Sequence, residues 1–139
     1  MKSIPPGVDP EAMPDLVGLT ILVVDDYEDN RQMYGELLMH AGFLVLEARD
    51  GAEAIEVARH ALPDLIVMDL SLPVMDGWEA TRLLKANERT RHIPIIVLTG
   101  HAVAGNARDA RKAGADAFLA KPCLPEMLVE KVQELLQRQ

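Results

Sequence analysis

Short apolar runs alternate with longer segments of helical period from residue 19 to the end of the chain. Leu19 to Val24 (LTILVV) is apolar, β-branched, too short for a helix and stops at two aspartates, the pattern of a strand buried on both faces of a parallel sheet. Asp29 to Ala41 carries Met33, Leu37, Leu38 and Ala41 at helical spacing and ends at Gly42, a glycine just past the last turn. The alternation then recurs. Phe43 to Glu47 reads as a strand, and Asp50-Gly51-Ala52-Glu53 is a cap with glutamate at the third helical position, opening a helix through Ile55 and Ala58. Leu65 to Met68 is a third strand ending at Asp69, and Asp76-Gly77-Trp78-Glu79 repeats the cap before a helix toward Ala86. Ile93 to Leu98 is the fourth strand, Ala102 to Ala113 an alanine-rich helix closed by Gly114, and Ala117 to Leu119 a short fifth strand. Leu128, Val132, Leu135 and Leu136 make one apolar stripe on a last helix.

Strands that each precede a helix imply a parallel sheet, because right-handed crossovers of this length put helices on both of its faces. The expected fold is α/β, a flavodoxin-like doubly wound five-stranded parallel sheet. A closed eight-stranded barrel needs about 200 residues or more, and the chain has 139. That length is one domain's worth of sequence. Residues 1–18 differ in texture: Pro5, Pro6, Pro10 and Pro14 recur among Gly7, Asp9, Glu11 and Asp15 without a period, so a flexible Pro-rich tail is expected ahead of a domain over 19–139.

Charge narrows the function. The chain has 22 acidic and 14 Lys or Arg side chains, a net charge of -8, which argues against direct binding to nucleic acid or to an anionic membrane. Residues 1–69 hold 14 of the acidic groups against 4 basic ones. No apolar run is long enough to span a bilayer, and Cys123 alone cannot form a disulfide framework. Without a secretory signal after Lys2, a cytoplasmic location is expected.

In doubly wound sheets the ligand site lies beyond the carboxyl ends of the strands, where strand order reverses. Strand one ends in Asp25-Asp26, strand three in Asp69, strand four in Thr99, and strand five runs into Lys121-Pro122. Carboxylates brought together repel unless a cation sits among them, and Mg2+ takes a few carboxylates with phosphate oxygens and waters. Lys121 can pair with a carboxylate or a phosphoryl group, and Thr99 can donate its hydroxyl to one. Taken singly, these residues have plainer readings: an Asp-Asp pair after a strand is commonly a turn or cap, Thr99 a strand residue, Lys121 a surface charge and Phe118 core. Their joint occurrence at the proper ends of the proper strands sets those readings aside.

The motifs ILVVDD, LIVMDLSLPVMDG, IIVLTG and FLAKP resemble the receiver domain of two-component response regulators, closest to its short chemotaxis-type form, over Leu19 to about Leu136. The resemblance implies that Asp69 is the phosphoacceptor. It implies Mg2+ held by Asp25, Asp26, Asp69 and the backbone carbonyl of Ser71, and a phosphoryl group contacted by Thr99 and Lys121. Phe118, three places before the lysine, takes the aromatic switch position and keeps the ring without the hydroxyl often found there. His101, two places after Thr99, stands where the family varies the residue edging the site and is the candidate modulator of dephosphorylation. The partners implied are a histidine kinase or phosphotransfer protein and a downstream protein that reads the face made by the fourth predicted helix, the fifth strand and the last helix. The protein is then no turnover enzyme, although it catalyses its own phosphotransfer and dephosphorylation.

Other classes fit less well. An aspartyl-phosphate phosphatase needs Asp-x-Asp-x-Thr/Val after strand one, where this chain reads Asp25-Asp26-Tyr27-Glu28. A nucleotide-binding module needs a Walker A or Gly-x-Gly-x-x-Gly sequence, and neither occurs. Two variants of the receiver reading stay open: a module cut from a hybrid kinase, and a protein-binding receiver independent of phosphorylation. His40, His60 and His92 lack ligand spacing, and Arg82, Lys85, Arg89 and Arg91 read as a solvated basic run.

Overall fold

The computed structural model describes residues 7–9, 13–70, 75–99, 113–121 and 125–138. Five strands, β1 (Thr20–Val24), β2 (Leu44–Ala48), β3 (Leu65–Asp69), β4 (Ile95–Thr99) and β5 (Ala117–Ala120), form one sheet in the order β2-β1-β3-β4-β5, with every pair parallel. Helices α1 (Glu28–His40), α2 (Gly51–Ala61) and α3 (Gly77–Ala86) and a C-terminal helix (Pro125–Gln137) cover it. The chain leaves β1 for β2 on one side and then crosses to β3 on the other. The order therefore reverses between β1 and β3, where such sheets open a crevice. This is the doubly wound architecture that the sequence predicts.

Strand alternation splits the core in two. Ile21, Val23, Leu65, Val67, Ile96 and Leu98 face Leu38 of α1 and Leu128, Val132 and Leu135 of the C-terminal helix. Leu22, Val24, Ile66, Met68, Ile95 and Val97 face Ala54 and Ala58 of α2 and Ala80 and Leu84 of α3. A strand covered on both faces has no polar side to show, which is why β3 is apolar until its last residue. The last helix buries its predicted stripe of Leu128, Val132, Leu135 and Leu136.

Helix ends follow their chemistry. Asp50 Oδ1 accepts from the Glu53 N–H at 2.8 Å and Asp76 Oδ1 from the Glu79 N–H at 2.9 Å, both N-caps as expected. After α1, Gly42 takes φ +104°, its N–H donates to Met39 O at 3.0 Å, and the Phe43 N–H donates to Leu38 O at 3.1 Å. This is a Schellman closure, with Phe43 and Leu38 buried in the same core. The fourth strand begins at Ile95 rather than at Ile93: Pro94 has no N–H for the ladder, and the Ile93 N–H is spent in a turn on Thr90 O. Lys85 also departs from the solvated reading. Its Nζ donates to Ile93 O at 2.7 Å, Arg91 O at 3.2 Å and Asp116 Oδ2 at 2.9 Å, tying α3 to the entry of β4 and the turn before β5. The fourth predicted helix lies almost wholly outside the described residues.

The inner end of the segment 1–18, expected as a flexible tail, is folded. Pro14–Leu16 forms a 3-10 turn, Leu16 is only 7% exposed within the core beneath the C-terminal helix, and the Gly18 N–H donates to Gly42 O at 2.8 Å. The apolar Met13 and Leu16 find cover there, an outcome that the proline content of the segment hides. Leu16→Ala should cost about 2 to 3 kcal/mol, near the lower end for a core leucine, read as a lower urea midpoint at unchanged slope.

Candidate functional site

Two hydrogen bonds fix the first acidic residue past β1: the Asp25 N–H donates to Ala48 O at 3.1 Å, and Asp25 Oδ1 accepts from the Tyr27 N–H at 2.9 Å. The N-cap position of α1 is Tyr27, whose side chain makes no cap bond. The Asp-Asp pair is therefore not consumed in capping α1 in the usual way. Arg31, one turn into α1, buries its guanidinium, donating from Nη1 to Asp25 O at 2.9 Å and from Nε to Glu47 Oε1 at 3.0 Å. Asp69 ends β3. The following turn is set by the Leu70 N–H on Leu98 O at 3.0 Å and the Gly77 N–H on Leu70 O at 3.1 Å. A Cβ on Gly77 would lie 2.2 Å from Asp69 O, so the start of α3 presses directly on the backbone of that aspartate.

These anchors bring three carboxylates together. One oxygen each of Asp25, Asp26 and Asp69 lies within 4.8 Å of the others. Asp25 is 2% and Asp69 6% exposed, while Asp26 is open to solvent. Lys121, just past β5, sits 3.3 Å from Asp25 Oδ2 and 3.3 Å from Asp69 Oδ2. Burial works to lower its pKa, but the charges of Asp69 and Asp25 outweigh it, and the ammonium ends above its ordinary value of 10.5. Because the folded value is the higher one, the associated stability is fully present below 10.5 and is lost as pH rises through the raised value. A urea midpoint followed into that alkaline range should fall more steeply for the wild type than for Lys121→Met.

One ammonium among three carboxylates leaves net negative charge, and the donors are hard oxygens, so the cluster fits a small divalent cation that keeps several waters. Of the other predicted residues, Thr99 ends β4 with its backbone in register with Ala120, and its side chain lies outside the described set. Phe118 is half-buried, packed on the core between the sheet and α2–α3 that also takes Trp78. Ser71 and His101 lie outside the described residues. Arg31 and Gly77 were not predicted as parts of the site. The spacing of Arg31 from Asp25 across the α1 turn was the available signal for the first, and the Asp76-Gly77 pair was absorbed into a cap for the second.

Fold and site together define a class: a doubly wound α/β domain with an acidic, cation-ready pocket and a lysine at its switch point. Residues 21–133 match the response regulator receiver domain, and the chain belongs to that family. It is similar to the polar-differentiation response regulator DivK of Brucella ovis, 35% identical over 117 residues that cover 84% of this chain and 95% of that protein. Among solved structures it resembles the chemotaxis protein CheY4 of Vibrio cholerae (TM-score 0.80, 33% identity, 85% of this chain and 98% of that one). It also resembles the receiver domain of the sensor histidine kinase PA1611 from Pseudomonas aeruginosa (TM-score 0.76, 37% identity, 88% and 97%), whose active site cleft coordinates a magnesium ion. Receiver domains are signalling modules of two-component systems that interact with histidine kinases and downstream targets. Among the described residues, no helix is long and apolar enough to cross a membrane.

Proposed function

We propose that Asp69 accepts a phosphoryl group from a phosphohistidine of a partner kinase or phosphotransfer protein, and that the domain signals this state by protein contact in the cytoplasm. The observation that carries the reading is the convergence of Asp25, Asp26 and Asp69 within 4.8 Å, with the Lys121 ammonium bridging two of them. In the transfer, an Asp69 carboxylate oxygen forms a bond to phosphorus while the phosphorus–nitrogen bond to the donor imidazole breaks and returns its electron pair to that ring. The protein's share is positioning and charge. Asp25, Asp26, Asp69 and the Ser71 carbonyl would hold Mg2+, which when bound supplies positive charge beside the acceptor and the incoming group. Lys121 adds the second cation and Thr99 a hydroxyl donor. The added charge near Thr99 and Lys121 then biases the half-buried Phe118 ring and the face of the fourth predicted helix, β5 and the C-terminal helix, with His101 tuning hydrolysis.

The test uses acetyl phosphate and Mg2+. The chain should gain the mass of one phosphoryl group, labile to base and to hydroxylamine, and chelation of the metal should prevent the gain. Asp26→Asn, which removes the exposed carboxylate without disturbing the buried pair, should weaken Mg2+ binding about tenfold or more by calorimetry and slow labelling with it. Labelling that ignores chelator and substitution alike would refute the reading.

A further inference from the structure

Lys121 reaches the acidic pair from far away in the sheet. It follows β5, and Asp25 follows β1, three strand positions distant in the order β2-β1-β3-β4-β5, a lateral offset of about 14 Å at usual strand spacing. Yet its Nζ lies 3.3 Å from Asp25 Oδ2 and from Asp69 Oδ2. A flexible stem ending in an ammonium loses rotamer freedom when held that way, and something must hold it while its partners change. The carboxylates cannot be that support throughout. A bound cation competes for their oxygens, and a phosphoryl group on Asp69 replaces one of them with a different anion. A third contact carries no such change: Nζ also lies 5.8 Å from the centroid of the Tyr34 ring.

We propose that Tyr34 is a positioning residue for Lys121, its ring face acting as a fixed cation–π platform that keeps the ammonium at the acceptor through metal binding and phosphoryl transfer. Tyr34 is suited to this. It sits on the inner side of α1, one turn beyond Arg31, is 8% exposed, and packs in the core with Leu38 and Phe43. Its position is therefore set by the hydrophobic core and not by the occupancy of the site. The negative face of an aromatic ring attracts an ammonium by its quadrupole, which is the same in every state of the cycle and is strengthened where water is excluded. The plainer reading is that Tyr34 only fills space beneath the sheet. That reading predicts sensitivity to ring volume and none to ring electrons.

The inference rests on Asp69 being the acceptor, and the experiment separates the two. Position 34 of the full chain is replaced in turn by phenylalanine and by its mono-, di- and trifluorinated analogues, which keep the ring's shape while draining its face of negative potential. Labelling by acetyl phosphate should fall stepwise across the series, by roughly 3- to 10-fold in all, the size of a partly desolvated cation–π contact, with the thermal midpoint almost constant. By NMR, the Lys121 ε-methylene protons should be shifted upfield by the ring current in the wild type and in Tyr34→Phe, and should lose that shift in Tyr34→Leu. A flat series in a chain that labels normally, or a Lys121 side chain with no ring-current shift, overturns the role of Tyr34 and leaves the acceptor assignment standing. A wild type that takes no phosphoryl group overturns both.

Discussion

Asp69→Asn should take up no phosphoryl group from acetyl phosphate or from a partner kinase, with incorporation falling to the uncatalysed background. An amide oxygen carries no full charge, so the substitution removes both the attacking group and one of the three carboxylates that make the pocket attractive to a cation. Neither neighbour can take over. Asp25 commits Oδ1 to the Tyr27 N–H and Oδ2 to Lys121, and is almost wholly buried. Asp26 is accessible but lacks the Lys121 contact that its neighbours share. The fold should survive. With Asp69 neutralised, Lys121 keeps Asp25 as its partner and no buried ammonium is left unpaired, so the thermal midpoint should stay near that of the wild type. Intact-mass measurement after phosphodonor treatment decides the matter: a phosphoryl group on Asp69→Asn at the wild-type rate would mean that another side chain is the acceptor.

Where the sequence was legible, a single physical pattern dominated. β1, β3 and β4 are buried on both faces, so their apolar runs stand out, and the polar residues that end those runs, Asp25 just past β1, Asp69 at the end of β3 and Thr99 at the end of β4, mark the ends that build the site. The edge strand β2 is read with its boundary one residue early, because Phe43 is buried as the closing contact of α1 rather than as a strand residue. What stayed hidden depends on long-range pairing. Nothing local tells that Lys85 answers to Asp116 or that Leu16 belongs to the core. A lysine in a basic run and a leucine in a proline-rich segment have the same sequence texture whether or not the fold captures them.

Gly77→Ala should destabilise the protein by about 2 kcal/mol or more, as overpacking against rigid atoms does, and should impair the site as well. In an ordinary helix the same change gains about 1 kcal/mol, since glycine loses the most backbone freedom on folding. Here the added Cβ would meet Asp69 O at 2.2 Å, Leu70 Cα at 2.8 Å and Asp69 C at 3.0 Å, all of them backbone. No side chain is there to rotate away. Either the first turn of α3 lifts, breaking the Gly77 N–H bond to Leu70 O and loosening the Asp76 cap, or the end of β3 moves and takes the Asp69 carboxylate with it. Both should appear as a thermal midpoint lower by roughly 8 °C at a few degrees per kcal/mol for a domain of this size, with weaker Mg2+ binding and slower labelling. Gly35→Ala supplies the control. Gly35 lies in the middle of α1, and a Cβ there meets only Val45 Cγ1 at 3.5 Å, an ordinary contact. It should raise the midpoint by a few degrees, toward the full helix-propensity gain of about 1 kcal/mol, and leave phosphorylation unchanged. If Gly77→Ala instead matched Gly35→Ala in stability, the close approach of α3 to the acceptor backbone would be disproved, and with it the account of how that aspartate is held.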